Sequence, residues 1–293
     1  MGNRTAISKI ITALLLAVLL LPCFACTDWF KSGSNGTTPS PTDNLQVHFI
    51  DVGQGDAILI DYGTTEVLID AGEKSPGVTD YLKKYVDGHL EAIVATHPHA
   101  DHIGGLIAVL DEYTVDAVWT SGDAATSKTY TDFMNRSIAE GARVSVARRG
   151  DVITAGALTF NVLNPPSSLF DDVNDNSIVL LLRDGSVDFL FTGDAEVDAE
   201  DSMISAGVLS DIDILKVGHH GSRTASSPAF LAITRPELAI YMAGVGNSYG
   251  HPHNESIMAL TGIGAKIYGT DNYGTIVIDT NGVTYTITIA KTP

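Results

Sequence analysis

The chain has 293 residues, enough for one large domain or two smaller ones, and its 44 % hydrophobic content is ample for a sizeable core. With 17 basic against 35 acidic side chains the formal net charge is −18, which argues against broad, nonspecific attraction to phosphate backbones. It does not exclude a nucleic-acid substrate, because divalent cations can make a local positive site on an acidic protein.

Arg4 and Lys9 precede an apolar run from Ile10 to Leu21 that ends in Pro22-Cys23-Phe24-Ala25-Cys26. This is the pattern of a secretory leader. The run is short for a membrane span, which takes about 20 apolar residues. Ala25-Cys26 resembles the lipobox of bacterial-type lipoproteins, with Cys23 where a Leu is usual, and that resemblance implies lipidation of Cys26. The expectation is export to the outer face of the cell membrane or beyond, with a membrane tether through lipid at Cys26 or through an uncleaved segment. Removal of residues 1–26 leaves 15 basic against 35 acidic side chains, a net charge of −20 with no cysteine. A buried core, not cross-links, must then hold the protein together. Residues 27–44 are rich in Ser, Gly, Thr and Pro and read as a flexible tether. The folded domain is expected over 45–293.

Within it, short apolar runs of strand character recur. They cover Leu45 to Ile50, Ala57 to Asp61, Glu66 to Ile69, Ala92 to Ala95, Ala117 to Trp119, Arg143 to Val146, Leu158 to Leu163, Ile178 to Leu182, Asp188 to Phe191, Ile212 to Val217, Leu238 to Met242, Thr275 to Ile278 and Thr284 to Ile289. Helical patterns fall between them, at Val78 to Val86, Ile103 to Leu110, Tyr130 to Glu140, Glu196 to Ala206, Pro228 to Ile233 and Asn254 to Leu260. Strands with interspersed helices predict a layered α/β domain, two sheets inside and helices outside.

The densest chemical signal is Thr96-His97-Pro98-His99-Ala100-Asp101-His102, directly after the run Ala92 to Ala95. Alternate side chains of an extended segment share a face, so His97 and His99 can converge on one ion. Asp101 and His102, where the chain turns into a helix, address a second. Imidazole and carboxylate suit zinc, and also manganese or iron. Three further strands end in polar residues: Val67-Leu68-Ile69-Asp70, Phe189-Leu190-Phe191-Thr192-Gly193-Asp194 and Ile214-Leu215-Lys216-Val217-Gly218-His219-His220-Gly221-Ser222.

This order of motifs resembles the metallo-β-lactamase superfamily. The segments His48 to Ala57, His102 to Gly105, Asn174 to Leu180, Lys216 to Ser222 and Tyr249 to His253 resemble, more narrowly, the metallohydrolase domain of ComEC-type competence proteins. The resemblance implies a four-layer αββα sandwich holding two divalent metal ions, zinc or manganese. Under it His97 and His99 hold one ion, Asp101, His102 and His219 the other, and Asp194 bridges them, while Asp70 orients ligands. The third motif offers Asn174 and Asn176 where many superfamily members place a metal-binding His, which implies a weaker first site or one completed by water or another imidazole. Asn176, Ser177 and Ser222 are candidates to hold or support the substrate. His220, His251 and His253 are candidates for proton transfer, with Asp101 orienting the attacking water; Asp51, Gln54 and Asp56 read as fixing the first hairpin. The resemblance implies an exported phosphodiesterase or nuclease acting on extracellular DNA. A hydrolase of envelope phosphoesters or of lactam or lactone rings is the second enzyme reading, and a noncatalytic surface-tethered binding module the reading of another class.

Overall fold

In a computed structural model, residues 44–292 are described; the expected leader, Cys26 and the expected tether up to residue 43 lie outside them. The first strand starts at Leu45. An eight-stranded sheet runs in the order Tyr285–Ile289, Ile276–Thr280, Leu45–Phe49, Ile58–Tyr62, Thr65–Ile69, Ala92–Ala95, Ala117–Thr120, Arg143–Val146. A seven-stranded sheet runs Lys266–Gly269, Leu238–Tyr241, Ile214–Lys216, Val187–Phe191, Val179–Asp184, Leu158–Asn164, Val152–Ala155.

The sheets face each other across one apolar layer containing Val47, Phe49, Ile58, Ile60, Leu180, Leu182, Phe189 and Phe191. The alternate residues point outward. Leu59, Leu68 and Ile93 pack beneath helices of residues 100–112 and 128–140, and Val179, Leu181 and Leu190 beneath helices of residues 197–206, 228–234 and 254–262. Both faces of each central strand are therefore buried, which is why these strands read as unbroken apolar runs with no polar alternation. The αββα layering follows directly.

Two helical expectations change. The pattern from Ile103 to Leu110 becomes two helices, Ala100–Ile103 and Leu106–Glu112. Gly104-Gly105 separates them, because a Cβ on Gly105 would lie 2.1 Å from the carbonyl oxygen of Ala71. The pattern from Val78 to Val86 yields one turn, Thr79–Leu82, before the chain enters the short strand His89–Leu90, which pairs with Thr114–Val115. Four strands, Val152–Ala155, Lys266–Gly269 and that short pair, lie where the sequence shows no apolar run. Among the described residues no helix is long and apolar enough to cross a membrane.

Site position follows from strand direction. Thr65–Ile69, Ala92–Ala95 and Ala117–Thr120 are parallel to one another, as are Val187–Phe191, Ile214–Lys216 and Leu238–Tyr241. Parallel strands put their carboxyl ends on one edge, the usual location of ligand crevices in α/β sheets. Asp70, the His97–His102 loop, Asp194, His219-His220 and the Tyr249–His253 loop all follow such ends.

Candidate metal centre

Asp194 is the hub. Its Oδ2 lies 3.2 Å from His102 Nε2, 3.3 Å from His220 Nε2, and 3.8 Å from both His97 Nε2 and His219 Nε2. Each ring is turned so by an oxygen on its other nitrogen. His102 Nδ1 is 2.7 Å from Asp70 Oδ2, His220 Nδ1 is 3.0 Å from the Met242 carbonyl, and His219 Nδ1 is 2.6 Å from Glu196 Oε1. The Ser177 hydroxyl lies 3.3 Å from His97 Nδ1 and accepts from the Asp194 backbone N–H at 3.1 Å, so one side chain ties two candidate ligands. In the neutral ring such anchoring favours the proton on Nδ1 and frees Nε2 toward the hub, the tautomer a metal ligand requires. His99 Nδ1 approaches His97 Nε2 to 3.0 Å, and Asp101 Oδ2 approaches His220 Nε2 to 3.3 Å.

Asp70 is itself fixed, accepting from the Thr96 N–H at 2.8 Å and the Thr96 hydroxyl at 2.6 Å. Its φ of 55° and those of His219 (45°) and His220 (56°) are left-handed, a backbone region that costs a non-glycine residue on the order of 1–3 kcal/mol. The surrounding bonds outweigh that cost, and strain of this kind concentrates at functional sites.

Beneath the hub lies a buried ion pair. Lys216 Nζ is 2.5 Å from Asp56 Oδ2, and Asp56 Oδ1 is 3.2 Å from His220 Nδ1. Gly55 lets this loop reach the centre: a Cβ there would lie 2.1 Å from the Asp101 carbonyl oxygen, to which the Asp56 N–H donates at 3.2 Å.

Electrostatics favour positive charge at the hub. Burial alone would lower His102, yet Asp194 and Asp70 hold it well above the ordinary imidazole range; His220 is raised in the same way by Asp194, Asp101 and Asp56. Burial and the neighbouring His102 drive His97 well below that range. Asp194 stays far below the carboxylate range because the His102 and His220 charges outweigh its burial. A field that holds protons on imidazoles is one that draws a cation. The donors fit one: His102 Nε2, His220 Nε2, Asp194 Oδ1 and Asp56 Oδ1 are buried without a hydrogen-bond partner, although one atom of each of these residues lies within 4.8 Å of the others. Unpaired buried polar atoms cost about 1–3 kcal/mol each, and ligation removes that cost.

The centre opens into a cleft of about 570 Å³, walled by Gln54, His99, Asp101, Asn174, Tyr249 and His251. The residues expected to serve the site separate here. His251 lines the cleft, its ring centroid 5.3 Å from that of His219, whereas His253 accepts the Arg223 N–H at its Nδ1 and does not line it. Asn176 is fully buried, accepting from the Phe170 N–H and donating to Asp123 and to the Phe170 carbonyl. Ser222, also buried, bonds Thr224. Neither lines the cleft, and the bonds of both go to neighbouring loop residues. The place beside Asp101 and His102 that the resemblance implies for His219 is approached more closely by His220, whose Nε2 is 3.3 Å from both Asp101 Oδ2 and Asp194 Oδ2, while His219 Nε2 is 3.8 Å from Asp194 Oδ2. Sequence reasoning also missed Asp56, Lys216 and Glu196. The detectable signal was Lys216, a lone charge inside the apolar strand Ile214–Lys216.

Comparison with known proteins agrees with this geometry. ComE operon protein 3 of Bacillus subtilis is 29 % identical over 258 residues, covering 81 % of this chain and 33 % of the relative. Recombination protein 2 of Haemophilus influenzae is 33 % identical over 222 residues, covering 71 % and 25 %. The chain thus spans a third or less of the length of these curated relatives. Among solved structures, the metallo-beta-lactamase fold protein YhfI from Bacillus subtilis superimposes with a TM-score of 0.56 at 16 % identity, over 82 % of this chain and all of that one. Residues 50–245 match the model of the Metallo-beta-lactamase superfamily, and with the αββα layers and the histidine–aspartate hub at their edge, the chain belongs to that superfamily.

Proposed function

We propose that the protein is an exported, metal-dependent phosphodiesterase acting on DNA outside the cell. The observation that carries the reading is the hub: four imidazoles with Nε2 within 3.8 Å of one Asp194 oxygen, at the floor of an open cleft. Two divalent ions, zinc or manganese, suit these donors. His97 and His99 with Asp194 would hold one, and Asp101, His102 and His220 with Asp194 the other. His219, steered by Glu196, supplies an imidazole to the side of the site that the third motif, Asn174 and Asn176, leaves short. When bound, such ions lower the pKa of water toward neutrality and stabilise charge on attacking and leaving oxygens.

The chain's own residues do the rest. Asp101 and Asp194, held far below the carboxylate range, stay ionised to orient a water in line with the phosphorus. Asp70, Ser177 and Glu196 keep the rings from turning away. His251, lowered to about 4 by burial and by the His220, His219 and His253 imidazoles, is neutral at pH 7, a weak base that presents an imidazole to the cleft as a hydrogen-bond partner for water or product; its Nδ1 is without a hydrogen-bond partner among the described residues. No side-chain nucleophile is required. DNA as substrate is supported by the resemblance to ComEC-type proteins and by the relative named a recombination protein. Export and a lipid tether at Cys26 belong to the same proposal.

The test is an activity screen of the purified protein, chelated and then loaded with zinc or manganese, against single-stranded DNA, a bis-phosphodiester reporter and a β-lactam. Cleavage of phosphodiesters that depends on about two ions per chain is expected. A lactam hydrolysed far faster than any phosphodiester would refute the substrate and leave the superfamily assignment standing. Loss of lipid labelling in Cys26→Ser checks the tether.

A further inference from the structure

We infer that Tyr249 is a stacking platform for an unpaired nucleobase at the mouth of the metal cleft, which makes the preferred substrate single-stranded. This rests on the DNA reading above and narrows it. Tyr249 lines the same cleft as Asp101, Asp194 and His251, yet its side chain is 64 % exposed. One face of the ring lies against His251, with centroids 5.7 Å apart and planes 19° from parallel, so its orientation is set while most of the ring meets solvent.

The loop carrying it is built, not slack. Asn247 ties both ends: its Nδ2 donates to the carbonyls of Gly244 (2.9 Å) and His251 (2.6 Å), and its Oδ1 accepts from the His251 N–H (3.0 Å). The Gly244 N–H in turn donates to Gln54 Oε1 at 3.2 Å. Gln54 lines the cleft too, and its Nε2 is buried without a hydrogen-bond partner among the described residues.

Charge decides what the ring must do. No Lys or Arg lines the cleft, and the chain carries −18 overall, so binding of a nucleic acid cannot draw on phosphate neutralisation by basic side chains. Beyond the ions proposed at the hub, stacking is the source of affinity that remains, and it suits any base, since every base has a π-face. In a duplex those faces are covered by neighbouring pairs, and reaching one requires unstacking it. An unpaired strand offers it freely.

The test compares wild type, Tyr249→Ala and Tyr249→Phe, metal content verified, on three substrates: a single-stranded oligonucleotide, its blunt duplex, and a strand of the same length built from abasic deoxyribose. Tyr249→Ala should raise KM on the single strand by about 5- to 100-fold, the range of one lost base stack, with kcat little changed. Tyr249→Phe should restore it. The abasic strand should give the same high KM with wild type and Tyr249→Ala. An unchanged single-strand KM, or an equal loss on the abasic strand, overturns the platform. If no phosphodiester is cleaved at all, the DNA reading fails separately, and fluorescence anisotropy of a labelled single strand then judges the platform: weaker binding by Tyr249→Ala supports it, and no wild-type binding overturns it.

Discussion

Lys216→Met tests the support beneath the hub. Lys216 and Asp56 are each at most 2 % exposed and 2.5 Å apart. At an effective dielectric of about 20 their attraction is roughly 6–7 kcal/mol, which the desolvation of two ions largely offsets, so the pair as a whole contributes little. Removing one partner is different. It leaves Asp56 buried without its ammonium partner, at a cost of about 3–5 kcal/mol, or about 6–20 °C in Tm for a protein of this size. Thermal unfolding followed by circular dichroism, with chelator present so that loss of metal does not contribute, should show that drop. Lys216→Met/Asp56→Asn should recover part of it. The pH dependence should also invert locally. In the wild type, burial opposes but Lys216 and the nearby imidazoles hold Asp56 below its usual value, so its contribution is full above the unfolded pKa near 4 and is lost as pH falls. Without Lys216 burial dominates, the folded pKa rises, and the variant should gain stability as pH falls toward 4. A wild-type Tm for Lys216→Met, or a double variant no better than the single one, would refute the account.

Asp194→Ala and His102→Ala should lose metal and activity together, measured by elemental analysis and turnover, whereas His251→Ala should retain metal and lose about 10²-fold in kcat; equal metal loss in all three would remove the distinction. Asp70→Asn, which keeps the shape but disturbs the hydrogen bond that fixes His102, should weaken metal affinity by about 10- to 100-fold in competition with a chelating dye. Glu200 is buried, and its carboxyl is raised to about 7 by burial, outweighing the Ser226 and Ser227 backbone N–H groups it accepts. Since the unfolded chain releases that proton near pH 4.5, stability should decline by about 3 kcal/mol between pH 4.5 and 7 from this group; denaturant titrations of wild type and Glu200→Gln check it, and identical slopes would exclude Glu200 as the source.

The layered fold was legible because the two-sided burial of its strands writes long apolar runs into the sequence, and the metal loop because four metal-capable side chains crowd six positions. What stayed hidden depends on contacts between distant segments. The strand Val152–Ala155 alternates exposed Val152 and Thr154 with buried Ile153 and Ala155, too short a pattern to separate from a loop. Asp56 was readable only as part of a hairpin, because its partner Lys216 is 160 residues away and on the other sheet. Asn176 looked like a substrate ligand on type alone, and only its bonds to Phe170 and Asp123 show that its amide is fully engaged.

The paired histidines show most clearly what local sequence withholds. In a strand, neighbouring residues point to opposite faces and one of His219 and His220 would leave the site. Here both residues are left-handed, and both rings stay at the hub, their centroids 5.8 Å apart and their planes 68° from parallel. His220 is drawn inward between Met242 and Asp101, and His219 outward onto Glu196 at the cleft wall. Under the proposed function, a chain whose third motif supplies asparagine recovers an imidazole from this adjacent position, with the backbone held in an unfavourable conformation. The Met242 carbonyl on His220 and Glu196 on His219 hold it there, so a substitution at Glu196 should disturb His219 while leaving His220 in place.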